Sequence, residues 1–204
     1  MSEEEAKEML KSYLQFTKDD IDKLEKFKNN LLEYNARYNL ISKSTENFIW
    51  SRHILDSAQL IKYINFNNTI SLADFGSGAG FPGIVLAIFN KNSKFHVKLF
   101  EKSSVKRKFL SLVKKNLEIN LDIDENLYDK EILADIVVCR AFKKLDKIIR
   151  ISRETIKKPH KIIILKGKNA QEEINNVSLD KNYSYKLENS ITDIDSKIII
   201  INAK

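Results

Sequence analysis

Residues 72–83, LADFGSGAGFPG, decide the fold of this 204-residue chain. The chain has only five glycines, and four of them lie here: Gly76, Gly78, Gly80 and Gly83. Glycine is needed where a chain turns sharply, or where a ligand must approach the backbone without meeting a Cβ atom. An apolar strand pattern precedes the cluster and a helical pattern follows it. The stretch therefore predicts the first strand–turn–helix unit of an open α/β sheet, where nucleotide-like ligands bind. A glycine-rich turn without a ligand is the alternative.

The segment before this strand reads as helices. Thr17 followed by Asp20 predicts the cap of a first helix, and Ser44 or Thr45 predicts the cap of a second. The aromatic and asparagine-rich stretch EYNARYNLIS (33–42) lies between them, and Asn67-Asn68 reads as a turn. We therefore expect a helical cap over residues 1–66, packed on a main domain over residues 67–204.

The main domain alternates short apolar strands with helices. The predicted strands lie near 70–75, 96–100, 121–125, 134–140, 161–166, 182–188 and 196–203, and the predicted helices near 82–90, 104–118, 142–157 and 169–177. Such alternation implies right-handed crossovers and a mostly parallel, doubly wound sheet covered on both faces. Only a turn at 189–195 separates the last two strands, so the final connection is predicted to be an antiparallel hairpin.

Composition narrows the functional classes. The formal charge is +7, with basic segments at 102–115 and 143–168 that suit a polyanion, although a general bias towards lysine explains the excess equally well. Cys139 is the only cysteine and the three histidines are scattered, so we expect no disulfide and no metal site. Apolar runs are too short to cross a bilayer, and the acidic start MSEEEAKEML lacks a signal pattern. We expect a cytoplasmic protein with no membrane partner. Nothing signals an oligomer, so a monomer is expected.

An acid follows the second predicted strand. Glu101 is placed to accept hydrogen bonds from the ribose hydroxyls of a bound nucleoside, as in both NAD and S-adenosylmethionine enzymes. A solvated strand-end carboxylate is the alternative. The spacing G-x-G-x-G with Asp74 ahead of it resembles motif I of the S-adenosylmethionine-dependent methyltransferases, whereas NAD proteins favour G-x-G-x-x-G. The GxxxxGK[ST] loop of nucleotide hydrolases is absent from the sequence.

Several further motifs occur in order: YNLIS (38–42), RHILDS (52–57), DFGSGAGFPGIVLA (74–87), EKSSVKRKFL (101–110), CRAF (139–142) and LKG (165–167). Together they resemble the bacterial 16S ribosomal RNA guanine-N7 methyltransferase family, also called glucose-inhibited division protein B. The resemblance spans residues 24–203. It implies a Rossmann-like sheet of seven strands, S-adenosylmethionine as cofactor, and a guanine of 16S ribosomal RNA in the small subunit as methyl acceptor.

The resemblance also implies roles for particular residues. The cofactor is expected on the loop of Gly76, Gly78, Gly80 and Phe81 and on Glu101. The family's Arg-x-Glu segment corresponds to residues 129–131, where the arginine is missing and Lys130 and Glu131 remain as candidates. Arg140 is expected to position substrate or cofactor. The cleft is expected to be lined by Arg52, His53, Asp56 and Ser57, with His53 a candidate catalytic residue. The candidates for RNA contact are Arg52, Lys106, Arg107 and Lys166.

Each of these residues has a structural alternative. Arg52 and Asp56 stand four residues apart and could form a surface pair, and His53 could be a hydrogen-bonded core histidine. Lys106 and Arg107 could lie on a solvated helix face, and Arg140 could be a surface residue. Cys139 could serve a cytosine-C5 methyltransferase as nucleophile, but the apolar run ADIVVC favours a buried strand residue.

The function also has alternatives. Guanine N7 carries a lone pair and no proton, so alignment and charge stabilisation suffice and a base is not required. Two other functions stay open: a methyltransferase of the same fold acting on another RNA base or a small molecule, and an RNA- or nucleotide-binding module without catalysis.

Overall fold

The computed structural model describes residues 1–128, 131–177 and 179–204. Helix α1 covers Glu3–Glu8 and continues into a π-helical turn, Met9–Tyr13, before helix α2, Lys18–Tyr38. The predicted cap of α2 is confirmed, because Thr17 Oγ1 accepts the Asp20 N–H at 3.3 Å and Asp20 Oδ2 accepts the Thr17 N–H at 2.8 Å. These reciprocal bonds satisfy two backbone donors that the first helical turn leaves open.

The second helical region is less regular than predicted. Residues 33–38 of the expected connection belong to α2, which ends where Asn39 adopts a left-handed conformation. A 3-10 helix, a π-helix, the short helix α3 and another 3-10 helix follow at Lys43–Phe48, Ile49–Leu55, Asp56–Ala58 and Gln59–Tyr63. The prediction that Ser44 or Thr45 caps this region is wrong, because the first of these segments starts after Ser42 without a side-chain cap. The Thr45 hydroxyl donates instead to the Ser42 carbonyl at 2.9 Å.

Seven strands form one sheet in the order β3-β2-β1-β4-β5-β7-β6. Their bounds are β1 Ser71–Phe75, β2 His96–Phe100, β3 Leu121–Asp124, β4 Ile136–Arg140, β5 His160–Lys166, β6 Tyr183–Asn189 and β7 Lys197–Ala203. The helices between them are α4 Gly83–Phe89, α5 Ser104–Leu117, α6 Leu145–Thr155 and α7 Ala170–Asn175. Strands β1 to β5 pair in parallel, and β7 is antiparallel to β5 and β6. The predicted doubly wound sheet and its antiparallel hairpin are confirmed.

The two faces of the sheet carry separate apolar clusters, because side chains alternate along a strand. Leu72 of β1 packs in a cluster that includes α2, α4 and α5, and Ala73 packs in the cluster beneath α6 and α7. On the first face the ring centroid of Phe27 lies 5.1 Å from that of Phe81 and 6.3 Å from that of Phe109. Burial of each such ring is worth about 1.5–3 kcal/mol. This packing fixes the N-terminal helices beside the glycine loop.

In the ranges that the structure describes, no helix combines the length and the apolar character needed to span a bilayer.

Candidate active site

The glycine loop joins β1 to α4 at the carboxyl edge of the sheet. The N–H groups of Gly76 and Ser77 both donate to the Phe100 carbonyl, at 2.9 and 3.0 Å, which ties the loop to β2. Gly78 has a φ of +58°, and a Cβ placed there would find its nearest neighbour, the Gly76 carbonyl, at 3.9 Å. Gly78 therefore leaves bare backbone beside open space, as a closely bound ligand requires.

A buried carboxyl group, that of Asp74, supports this loop from the core side. Asp74 is fully buried, and its Oδ2 accepts the Gly83 N–H at 2.9 Å. Its Oδ1 has no hydrogen-bond partner in the described part of the chain. Burial raises the pKa of Asp74 to about 7, against the opposing hydrogen bond from Gly83. Asp74 thus supports the turn from within the core.

A cavity of about 420 Å³ opens above the glycine loop, within the range of about 300–1,000 Å³ typical of ligand sites. It lies at the carboxyl ends of β1, β2 and β4. Its lining comprises Leu40, Ile41, His53, Gly76, Ser77, Gly78, Ala79, Phe81, Phe100, Glu101, Lys102, Lys106, Glu125, Asn126, Leu127, Tyr128, Arg140, Ala141, Phe142 and Lys143. The cavity therefore combines bare backbone, apolar walls and both signs of charge.

Glu101 joins the loop to the end of β2. Its Oε2 accepts the Gly78 N–H and its Oε1 accepts the Ser103 N–H, both at 2.8 Å. A carboxylate oxygen has a second lone pair, so each oxygen can still accept a hydroxyl donor from a ligand. Glu101 both holds the glycine loop and offers acceptors in the cavity.

Arg140 ends β4 and lines the same cavity, with 19% of its side chain exposed. Its Nη1 donates to the Arg52 carbonyl at 2.9 Å and to Asp56 Oδ2 at 3.4 Å, and its Nη2 lies 2.7 Å from His53 Nδ1. The guanidinium carbon lies 5.1 Å from the centre of the Phe81 ring. Burial lowers the pKa of Arg140, but an arginine side chain stays charged in proteins.

Of the four residues expected to line the cleft, His53 lines the cavity, whereas Arg52, Asp56 and Ser57 are not among its lining residues. His53 and Arg140 both line the cavity, while Asp56 accepts the Thr192 hydroxyl at 2.8 Å and so links the cleft to the β6–β7 connection. Arg52 is 55% exposed and pairs with Asp193 at 2.6 Å, so the considered Arg52–Asp56 pair does not form. Ser57 is buried and donates to the His53 carbonyl at 2.6 Å.

Phe81 contributes mainly to the core. It lines the cavity but is only 3% exposed, and its ring lies tilted against that of Phe27, with the ring centroid of His53 also 5.1 Å away. Gly76 and Gly80 likewise serve packing. A Cβ at Gly76 would stand 2.3 Å from Phe142 Cδ2, and one at Gly80 would stand 2.4 Å from Ile84 Cδ1.

The segment after β3 departs from the expectation. Lys130 lies outside the described residues. Glu131 is exposed and sits beside a groove formed by Ser71 and His96, at the amino ends of the strands, so the structure does not bring it to the cavity. The reason is that Ile132, the next residue, is buried and donates its N–H to the Thr155 carbonyl at 2.7 Å. The part of the cavity wall that follows β3 is built from residues 125–128.

Besides Arg52, two more of the predicted RNA-contacting cations have internal partners. Lys166 Nζ donates to the Lys143 carbonyl and to both carboxylate oxygens of Glu173, at 2.8–2.9 Å. Arg107 donates to the carbonyls of Glu101 and Lys102 and to Glu125 Oε2. Both side chains are therefore engaged in holding the loops around the cavity. Lys106, by contrast, lines the cavity.

Several lining residues carried no individual prediction. Leu40, Ile41 and Phe142 lie within motifs already noted in the sequence, but an apolar residue in a loop has no chemical signature that separates wall from core. Leu127 and Tyr128 lay outside those motifs.

Cys139 is fully buried on the face of the sheet that α6 and α7 cover. Burial raises the pKa of its thiol far above the usual range. A thiol in that environment is not a nucleophile. The interpretation of Cys139 as a buried strand residue is confirmed.

The sheet order, the antiparallel β7 and the glycine loop at the carboxyl edge define the class of S-adenosylmethionine-dependent methyltransferases. The fold is similar to that of the O-methyltransferase from Bacillus cereus in complex with SAH, with a TM-score of 0.60, 15% identity, and coverage of 88% of this chain and 91% of that chain. M. jannaschii TYW2 in complex with AdoMet is also similar, with a TM-score of 0.54, 18% identity, and coverage of 76% and 77%.

Sequence relationships identify the family. The family model described as rRNA small subunit methyltransferase G matches residues 20–198, and the chain belongs to this family. The ribosomal RNA small subunit methyltransferase G of Orientia tsutsugamushi (strain Ikeda) is 37% identical over 187 residues, covering 91% of each chain. That of Rickettsia prowazekii (strain Madrid E) is 40% identical over 183 residues, covering 89% of this chain and 93% of the relative. The resemblance inferred from the motifs is confirmed.

Proposed function

We propose that this protein transfers the methyl group of S-adenosylmethionine to N7 of a guanine in the 16S ribosomal RNA of the small subunit. The observation that carries the proposal is the joining of Gly78, Glu101 and Arg140 around one cavity in a chain of the rRNA small subunit methyltransferase G family. The relatives that match over most of this chain are named for the same class of substrate.

The cavity residues fit the cofactor. The bare backbone at Gly78 admits a close ligand, and Glu101 retains acceptor capacity for the two ribose hydroxyls. Leu127, Tyr128 and Phe142 supply apolar and aromatic surface for an adenine ring. When bound, S-adenosylmethionine supplies an electrophilic methyl group on a positively charged sulfur.

The remaining chemistry is alignment. Guanine N7 has an in-plane lone pair and no proton, so the protein need not remove a proton before attack. His53 uses both ring nitrogens in contacts with Arg140 and Thr45, and burial lowers its pKa to about 3. His53 is therefore not placed as a general base, which agrees with an acceptor that needs none. Arg140 remains the charged group that can hold a phosphate, a base edge or the cofactor carboxylate.

Lysines at the cavity mouth suit the RNA backbone. Lys102, Lys106 and Lys143 line the cavity, and in the described part of the chain no carboxylate pairs with any of their ammonium groups. A phosphate backbone that delivers a base to the cavity would meet all three. We therefore propose that Lys102 and Lys143 contact RNA together with Lys106. Arg107 and Lys166, predicted to contact RNA, instead support the loops around the cavity.

We also propose that residues 1–66 act as a cap that completes the cavity of the domain over residues 67–204. Support comes from Leu40, Ile41 and His53, which line the cavity from this segment. We further propose a cytoplasmic location, since the proposed substrate is ribosomal. We also propose that the protein acts as a monomer, because one chain supplies all the cavity residues named here.

The test is to incubate the protein with small ribosomal subunits and cofactor labelled in the methyl group, then to digest the RNA and identify the labelled nucleoside. We expect 7-methylguanosine in 16S ribosomal RNA. Label in another nucleoside would favour a different RNA base. No label, despite tight binding of cofactor and RNA, would favour a binding module. Calorimetry with S-adenosylmethionine and with NAD provides the matched check of cofactor, and binding of NAD alone would overturn the proposal.

A further inference from the structure

We propose that His53 is a positioning residue, whose Nδ1 acts as an acceptor that holds the Arg140 guanidinium in the cavity. The inference rests on the proposed function and adds to it the residue that orients the charged group at the site. His53 is 9% exposed and comes from the helical segment before the sheet, 87 positions away from Arg140 in the chain.

The direction of each hydrogen bond follows from chemistry. A guanidinium has donors and no acceptor, so His53 Nδ1, 2.7 Å from Arg140 Nη2, must be the unprotonated ring nitrogen. The proton then lies on Nε2, which donates to Thr45 Oγ1 at 2.9 Å. Thr45 in turn donates to the Ser42 carbonyl at 2.9 Å. A single tautomer satisfies every member of this chain of hydrogen bonds.

The same contacts leave part of Arg140 available. Its Nη1 is engaged by the Arg52 carbonyl and by Asp56, and one Nη2 proton is engaged by His53. Of the five N–H donors of a guanidinium, the Nε–H and the second Nη2–H have no partner among the residues that the structure describes. These two donors can meet a bound ligand, and His53 fixes the rotation of the group that carries them.

A phenylalanine ring completes the arrangement. Phe81 lies 5.1 Å from both the guanidinium carbon and the His53 ring, measured to ring centres. His53 and Arg140 thus rest on the ring that follows the glycine loop. A shift of His53 would move Arg140 relative to the glycine loop, and misplacement of about 1 Å at a site can cost about 100-fold in rate.

Two substitutions separate the acceptor from the rest of the side chain. His53→Asn places an amide oxygen where Nδ1 stands and loses the Thr45 contact. His53→Gln can reach Thr45 but carries no acceptor at the Nδ1 position. We expect kcat for methylation of small subunits to be at least about tenfold higher in His53→Asn than in His53→Gln, with melting temperatures that agree closely. Equal loss in both variants, or loss in neither, would overturn the positioning role.

A double-mutant cycle tests whether His53 acts through Arg140. In the Arg140→Ala background, His53→Gln should lower kcat by less than about twofold, because the group that it positions is gone. Fully additive losses would show that His53 acts independently of Arg140 and would refute the inference. The wild-type rate with small subunits is the reference, so an inactive wild-type protein would instead count against the proposed function.

A spectroscopic measurement needs neither activity nor a well-folded Gln variant. The nitrogen chemical shifts of His53 in the wild-type protein should show an unprotonated Nδ1 and a protonated Nε2. The Nδ1 shift should change in Arg140→Ala. An opposite tautomer, or an Nδ1 shift insensitive to Arg140→Ala, would overturn the inference even if the methyl-transfer assay gave no result.

Discussion

The Asp74 carboxylate accepts the Gly83 N–H at 2.9 Å, and a Cβ atom on Gly83 would stand 2.6 Å from the same carboxylate oxygen. The hydrogen bond therefore brings the first turn of α4 so close to the buried Asp74 that no side chain fits at position 83. This relationship explains the glycine at position 83, which is not needed to bare the backbone for a ligand.

We predict that Gly83→Ala lowers the free energy of unfolding by at least about 1–3 kcal/mol, because the new methyl group overlaps Asp74 Oδ2 and would lie 2.3 Å from Leu99 Cδ2. Urea unfolding measures the loss. Gly167→Ala is the matched control, since a Cβ there meets nothing within 4 Å, and it should change stability by less than about 0.5 kcal/mol. Equal effects of the two substitutions would contradict the packing argument.

We predict that Gly78→Asp abolishes binding of S-adenosylmethionine while the protein still folds. Aspartate tolerates the positive φ better than most residues, and the new side chain points into open space, where it occupies the ligand's place and adds a negative charge. Calorimetry gives the affinity and thermal unfolding gives the stability. Gly78→Asn, similar in shape but neutral, separates steric from electrostatic loss. Retained affinity in both variants would remove the glycine loop from the site.

We predict that Asp74→Asn changes how stability depends on pH. The pKa of Asp74 is raised to about 7 in the folded protein, so the folded state binds a proton that the unfolded state releases near pH 4. Ionisation of Asp74 therefore lowers the free energy of unfolding as pH rises from about 4 to about 7. The free energy of unfolding of the variant, minus that of the wild type, should be roughly 2–3 kcal/mol larger at about pH 8 than at about pH 5.

Urea unfolding of both proteins at the two pH values checks this prediction. His53 has the opposite sign: its pKa is lowered to about 3, so its contribution is lost as pH falls below its unfolded value. The comparison cancels that contribution because both proteins contain His53. A pH-independent difference would mean that Asp74 titrates normally in the folded protein.

We predict that two adjacent basic residues give opposite phenotypes. Lys106→Ala should weaken RNA binding and flatten its dependence on salt, with little change in stability, because Lys106 lines the cavity without an ion-pair partner in the described chain. Arg107→Ala should lower stability and cofactor affinity, because Arg107 holds the backbone of Glu101 and Lys102. Salt titrations of RNA binding and thermal unfolding of both variants decide the matter. Identical phenotypes would contradict the assignment.

Much of the fold was predictable because its signals are local. Central strands such as β4 and β5 are short apolar runs, and five parallel strands with intervening helices lead to a doubly wound sheet. The helical region before β1 was predicted less well. Its part after α2 starts without a side-chain cap, and the 3-10 and π-helical turns there include side-chain contacts, such as that of His53 with Thr45, that local sequence patterns do not encode.

The candidate site was predictable in part. Gly78, Glu101, Arg140 and His53 were identified from motifs, and all four line one cavity. Glu131 was expected there and is not, because it lies beside Ser71 and His96 at the amino ends of the strands, where the Ile132 N–H donates to the Thr155 carbonyl. Periodicity does not reveal this position, since residues 131–135 form neither a helix nor a strand.

The sequence by itself determined the order of the elements, the glycine turn and the family, because these rest on residue types and short spacings. Only the tertiary structure decided which cationic side chains have partners within the described part of the protein. Arg52 pairs with Asp193, 141 positions away, and Arg140 meets His53, 87 positions away. A charge is neutralised by whatever lies a few ångströms from it, and that neighbour is set by the packing of distant segments. Lys102, Lys106 and Lys143 look like the other lysines in the sequence, and only their place at the cavity mouth distinguishes them.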